Sequence, residues 1–160
     1  MTMESGIIQA FYGTGKGKTS AAVGQALREL QHGQRITMIQ FLKGKVADEF
    51  QVLDRLEPDV QIFRFDKSDV SYCDLSESEK VAEKANILNG FNFSKKVLET
   101  GESDVIILDE LLGLIDLGIL TEDDVEDLLR IQGDYRKLII TGTKLPEQIR
   151  AYVDEVSEIL

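Results

Sequence analysis

Apolar positions along this chain follow two alternating rhythms. Short apolar runs of strand length, at residues 6–11, 35–42 and 60–65, are separated by longer stretches whose apolar residues recur at helical spacing. After the first run, Val23, Ala26, Leu27 and Leu30 form one stripe of a helix predicted from near Lys18 to about Gln31, with Gly33 as its stop. A short helix is predicted over 48–56, ended by Pro58. Residues 66–75 are polar and carry no period, so they read as a loop. Ser76 with Glu79 has the form of a capping box opening a long helix, with Val81, Ala85, Leu88 and Leu98 on one face and Gly101 near its end.

The second half continues the pattern. Residues 104–108, DVIIL, are nearly all apolar, which suits a parallel strand covered on both faces. Thr121 caps a helix running to about Arg130, with Val125, Leu128 and Leu129 inside. Residues 137–140 supply another strand, Pro146 opens a helix buried through Ile149, Tyr152 and Val153, and 156–160 add an edge strand. Parallel strands need crossovers, and a helix stands at almost every one. The expected fold is α/β: a three-layer sandwich around a mainly parallel sheet of five to six strands, with residues 1–160 forming one domain.

Between the first strand and the first helix lies GTGKGKT, residues 13–19. A glycine-rich turn from a strand into a helix lets several N–H groups converge on phosphate oxygens, and the helix amino end adds its positive dipole. Lys18 can reach a phosphate, and the Thr19 hydroxyl can ligate a magnesium ion that bridges phosphates. Lys16 adds charge at the rim. The general pattern G-x-x-x-x-G-K-[ST] places a glycine where this chain has Tyr12.

A second constellation fits the first. The run DVIILDE ends in Asp109 and Glu110, at the carboxyl end of a predicted central strand. Open parallel sheets bind ligands at that edge, so a carboxylate there can hold Mg²⁺ together with Thr19. Gln40 and Lys43, in QFLKG, lie at the exit of the second strand beside the same edge. Glu122, Asp123, Asp124, Glu126 and Asp127 crowd the start of one helix, where negative charge is favourable without any metal. Cys73 reads as structural or incidental, and His32 as a solvent-facing helix-end residue.

Composition narrows the function classes. The formal charge of -11 leaves no basic stripe for nucleic acid. A polyanion bound here must therefore be met by local donors such as those of the glycine-rich turn. One cysteine and one histidine exclude an internal disulfide and a metal cluster built from those residues. No apolar run approaches the roughly 20 residues of a spanning helix. A cytoplasmic location without membrane partners is the expectation.

Four segments, in order, are similar to the ATP:corrinoid adenosyltransferases of the BtuR/CobA/CobO type. GTGKGKTSAAVGQALRELQHGQRI resembles that family's GNGKGKTTAA segment, and IQFLKG its QFIKG. VIILDELLGLIDLGIL resembles its VVLDEL stretch, and LIITGTKLPEQIRAYVDEVSEI its TGRxxP…ADxVSE segment. The family's loop also lacks the first glycine of the general pattern. The resemblance implies a RecA-like P-loop fold, a homodimer, and transfer of the 5′-deoxyadenosyl group of ATP to the cobalt of a reduced corrinoid, with triphosphate released. It implies ATP and Mg²⁺, the corrinoid as co-substrate, and a flavoprotein as reductant. Gly13, Thr14, Gly15, Lys16, Gly17, Lys18, Thr19 and Ser20 would surround the triphosphate, with Gln40 and Lys43 nearby. Thr19, Glu110 and Asp109 would serve the metal, and Lys18, Lys16 and Glu110 the transfer itself.

Three features differ from the family pattern. Residues 66–74, DKSDVSYCD, stand where members carry a GFTW-like aromatic segment, leaving Tyr72, Phe63 and Phe65 as sources of apolar contact. Thr143 replaces the TGR arginine. Leu160 falls where members continue into a lysine- and histidine-containing tail; the expectation is weaker corrinoid capture, a different corrinoid, or help from a dimer mate. Two other functions stay open on the residues. One is ATP hydrolysis or another phosphoryl transfer, with Asp109 or Glu110 orienting water and Arg136, Arg64 or a partner subunit supplying a guanidinium. The other is a nucleotide- or corrinoid-binding regulatory protein without turnover.

Overall fold

A computed structural model describes residues 6–30, 33–42, 52–65 and 70–160. Gln31, His32, Lys43, residues 48–51 of the expected short helix and residues 66–69 of the expected loop lie outside them. Six strands form one sheet: β1 (Ile7–Tyr12), β2 (Ile36–Gln40), β3 (Val60–Arg64), β4 (Val105–Asp109), β5 (Lys137–Gly142) and β6 (Glu155–Glu158). Their order is β3-β2-β4-β5-β1-β6, and every pairing is parallel. The structure thus has the expected α/β architecture, with the sheet parallel throughout.

The two faces are covered by different helices. On one, α1 (Lys18–Leu30) packs Ala22, Val23 and Ala26 against Phe11, Met38, Val105, Ile107 and Ile139. On the other lie α2 (Glu77–Thr100), the short α3 (Gly113–Asp116), α4 (Glu122–Leu129) and the single turn α5 (Glu147–Arg150). There Ile87, Phe91 and Leu98 of α2 and Val125 and Leu128 of α4 meet Ile39, Ile106, Leu108 and Ile140. All five residues of β4 are buried, which is why that segment is almost continuously apolar.

Helix ends follow their sequence signals. Ser76 and Glu79 form both bonds of a capping box, and Gly101 closes α2 in the left-handed conformation at φ 71°. Thr121 and Asp124 make a second capping box on α4, which accounts for acidic residues in its first turn. The face assigned to α2 needs correction. Val81 is 72% exposed, Ala85 is exposed and Leu88 half-buried, whereas Glu83, Ile87, Gly90, Phe91, Ser94 and Leu98 turn inward. Two of those six carry polar side chains and one has none; of the expected stripe, Leu98 is buried as anticipated and Leu88 packs partly against the core, while Val81 and Ala85 face outward. Beyond α5, Tyr152 and Val153 are half-buried against the core rather than helical.

Strand ends shifted as well. β5 runs on to Gly142, past the expected end at 140, because Thr141 and Gly142 still pair with Phe11 and Tyr12. β6 begins one residue early, at Glu155, and pairs with β1 along its outer edge.

Candidate functional site

The carboxyl end of β1 leads straight into the glycine-rich turn. Gly13 adopts φ 130°, open to glycine and rarely to other residues, and its N–H donates to the carbonyls of Gly142 (3.2 Å) and Thr143 (3.0 Å). A side chain at Gly13 would collide with the Ile159 carbonyl, and a Cβ at Gly15 would lie 2.6 Å from that of Leu160. The backbone after β6 therefore lies directly against the turn. It is bonded there: Ile159 N–H donates to the Tyr12 carbonyl (2.7 Å), and Gly15 N–H to the Ile159 carbonyl (2.8 Å). The turn is held on both flanks before any ligand arrives.

The charged and hydroxyl groups are arranged around this frame. Lys18 Nζ donates to the Gly13 carbonyl at 2.6 Å, placing its charge across the mouth of the turn. Thr14, Lys16, Gly17 and Ser20 are exposed at the rim. Thr19 is buried at the head of α1, and its Oγ1 donates to Asp109 Oδ1 at 2.8 Å. Asp109, at the end of β4, is fully buried and pairs in register with Gln40 of β2. Asp109 Oδ2 and Gln40 Oε1 are both buried without a hydrogen-bond partner. Two such acceptors side by side are costly unless something electropositive meets them.

Glu110 follows with φ 64°, the positive-φ non-glycine residue among those described. Its N–H donates to Thr141 Oγ1 (2.8 Å), while the same hydroxyl donates to Asp109 Oδ1 (3.0 Å). Thr141 was missed by the sequence reading. Its only signal is a hydroxyl at the end of the apolar run LII, on the strand lying between the loop strand and the acid strand. Arg150 also lies beside the turn. Its Nη2 donates to Tyr12 Oη at 3.1 Å and its guanidinium lies 5.4 Å from the Tyr12 ring centre. The bond to Tyr12 favours the charged guanidinium and raises its pKa.

Other expected residues fall elsewhere. Arg136 sits at the amino-terminal edge of the sheet, with its N–H on the Asp104 carbonyl and its side chain 3.6 Å from Glu29, so it cannot serve this site. Arg64 ends the edge strand β3, separated from β4 by β2. Phe63 and Phe65 stack against Phe93 of α2 (ring centres 4.9 and 5.5 Å apart), and Cys73 is exposed in a short turn, Tyr72–Asp74. A groove of about 380 Å³ lined by Arg35, Thr37, Phe63, Phe93 and Lys96 opens near the strands' amino ends and contains none of the loop residues.

A lysine-bearing glycine turn, a helix head whose threonine bonds a buried aspartate two strands away, and an all-parallel sheet define a P-loop nucleotide-binding protein of RecA-like fold. The chain belongs to the family described as ATP:corrinoid adenosyltransferase BtuR/CobO/CobP, which it matches over residues 4–160. It is 31% identical to the corrinoid adenosyltransferase CobA of Salmonella typhimurium over 156 residues, covering 98% of this chain and 77% of that protein. The corrinoid adenosyltransferase of Escherichia coli is 30% identical over the same shares of each chain. Among solved structures, the flagellar accessory protein FlaH from Methanocaldococcus jannaschii superposes with a TM-score of 0.52 at 16% identity, over 98% of this chain and 72% of that one, a likeness of fold.

Proposed function

We propose that this chain transfers the 5′-deoxyadenosyl group of ATP to the cobalt of a reduced corrinoid. The bond formed is cobalt–carbon. The bond broken joins the 5′ carbon to its oxygen, and that electron pair leaves with triphosphate. Cobalt(I) is itself the nucleophile, so the protein need supply neither a nucleophilic side chain nor a proton-abstracting base. Its task is to hold the 5′ carbon in line, to stabilise charge on the departing triphosphate and to exclude water. The observation that carries this reading is the family match over residues 4–160, and the buried Thr19–Asp109 bond with Lys18 on the Gly13 carbonyl supports a phosphate site at the turn.

The donor set fits a magnesium ion. Thr19 gives its hydrogen to Asp109 and keeps oxygen lone pairs free, while Asp109 Oδ2 is buried and unpaired. Thr19, Asp109 and Glu110 would hold the ion, which supplies charge neutralisation at the phosphates. Lys18, Lys16 and the amides of Gly17, Lys18 and Thr19 at the head of α1 would bind the chain of phosphates, with Gly13 and Gly15, whose N–H groups are bonded to backbone carbonyls, shaping the turn and Thr14, Ser20 and Gln40 at its border. A homodimer, a flavoprotein reductant and a cytoplasmic setting belong to the same reading. Among the described residues no helix is long and apolar enough to cross a membrane.

The test is a product analysis with ATP, Mg²⁺ and chemically reduced corrinoid. Adenosylated corrinoid with one equivalent of triphosphate is expected. Orthophosphate formed without corrinoid would assign ATP hydrolysis instead, and nucleotide binding without any product would assign a non-catalytic role.

A further inference from the structure

We propose that Thr141 is a positioning residue, whose single hydroxyl fixes the Asp109 carboxylate and the Glu110 backbone relative to the phosphate-binding turn. The proposal rests on the reading of the site as one for nucleotide and metal. β1, which carries the turn, and β4, which carries the acids, are not neighbours: β5 lies between them. Thr141 occupies β5 where it pairs with Phe11, two residues before Gly13, and one residue beyond the Leu108↔Ile140 pair. Any coupling between turn and acids through the sheet therefore crosses β5, and Thr141 is the β5 residue whose side chain is bonded to Asp109 and to the Glu110 N–H.

The hydroxyl uses both of its capacities there. Its hydrogen goes to Asp109 Oδ1 (3.0 Å) and its oxygen receives the Glu110 N–H (2.8 Å). Asp109 Oδ1 consequently accepts from Thr19 on one side and Thr141 on the other, and this pair of bonds fixes the plane of the carboxylate. Oδ2 is the oxygen left unpaired in the buried site. The bond to Glu110 N–H also supports a backbone at φ 64°, which residues with side chains rarely adopt. That backbone directs the Glu110 side chain toward Gly113, where a Cβ would lie 3.2 Å from Glu110 Oε2. Thr141 itself has no exposure, so its contribution is made through its neighbours and not by touching substrate.

The experiment measures Mn²⁺ binding to the protein–ATP complex by electron paramagnetic resonance, without corrinoid. Thr141→Val removes the hydroxyl and keeps the shape; Mn²⁺ affinity is expected to fall about tenfold, equivalent to ~1.4 kcal/mol. ATP affinity in EDTA is expected to stay within about twofold of the natural protein's, a split that general loosening of the fold would not give. Thr141→Ser is expected to restore Mn²⁺ binding. Thermal denaturation checks that each variant folds, and Thr141→Ala replaces the valine variant should that one fail. Natural Mn²⁺ affinity in the hydroxyl-free variant would overturn the proposal. So would a serine variant as weak as the valine one, because the methyl packing would then be the cause. Adenosyl transfer is scored separately, so its failure leaves this result readable.

Discussion

Gly13 and Lys18 meet opposite demands within one turn. Gly13 must adopt φ 130° and leave space for the Ile159 carbonyl, so its contribution is the absence of a side chain. Replacing it with alanine forces both strain and a steric shift. Gly13→Ala is expected to cost about 1–3 kcal/mol of stability and to weaken ATP binding. Urea unfolding and calorimetry measure the two effects, and an unchanged midpoint would show that the chain after β6 moves aside freely. Lys18 contributes by its charge. Its ammonium is held by a backbone carbonyl of the turn, so a phosphate can exchange for that bond without unfolding anything. Removing it takes away a charge-assisted hydrogen bond, so Lys18→Ala should weaken ATP binding roughly ten- to hundredfold while leaving the melting temperature nearly unchanged. Equilibrium dialysis with labelled ATP decides it; affinity within a factor of two of the natural protein would remove Lys18 from the site. Both residues were readable in the sequence because glycine and lysine have few other reasons to alternate after a strand. Thr141 was not, since one hydroxyl closing an apolar run looks the same whether it faces water or a buried aspartate.

Helix ends are the elements whose chemistry is most local, and they could be read most directly. Thr121 and Asp124 exchange two bonds at the start of the eight-residue α4. A helix this short has little propensity to rely on, so Thr121→Ala is expected to cost about 1 kcal/mol by chemical denaturation. No measurable loss would mean that packing of Val125 and Leu128 alone holds the helix. The box on α2 adds a pH dependence. The Ser76 side chain, and next its backbone, bond Glu79 and lower its pKa below the ordinary 4.5. A lowered folded-state pKa gives stability that is present above pH 4.5 and lost as pH falls through the folded value. The stability difference between the natural protein and Glu79→Gln should therefore shrink on acidification below about pH 4.5. Unfolding curves across pH 3 to 7 read this out, and a gap that persists at pH 3 would contradict it. By contrast the buried face of α2 was hidden in the sequence. Its six inward positions include Glu83, Gly90 and Ser94, with Ser94 Oγ bonded back to the Gly90 carbonyl (2.8 Å) and the Gly90 position packed against Phe65. Ser94 fits the interior through a local hydrogen bond and Gly90 through the lack of a side chain, neither of which an apolar count registers.

At the scale of the whole molecule, strand order decides where chemistry assembles. The alternation of runs and helices indicated parallel strands, but nothing in it orders them as β3-β2-β4-β5-β1-β6. Order depends on which helix crosses which face, and α1 alone spans from β1 to β2 over β4 and β5. That crossing brings its first turn, with Thr19, onto Asp109. The polar ends of β2, β4 and β5, namely Gln40, Asp109 and Thr141, converge beneath the same helix head within an otherwise apolar layer. Because α1, the sheet and the chain after β6 all contribute to the turn, a ligand bound there stabilises the fold as a unit and not one loop. At a concentration one hundred times its dissociation constant, ATP with Mg²⁺ should add about 2.7 kcal/mol by mass action. For a chain of this size that corresponds to a rise of roughly 5 to 11 °C in melting temperature. ATP at the same concentration with EDTA should give a smaller rise, since the unpaired Asp109 Oδ2 then has no cation to meet. Differential scanning calorimetry makes the comparison. Equal shifts with and without the metal would mean that the buried carboxylate serves the fold alone, and that Lys18 and the backbone amides hold the phosphates without an ion.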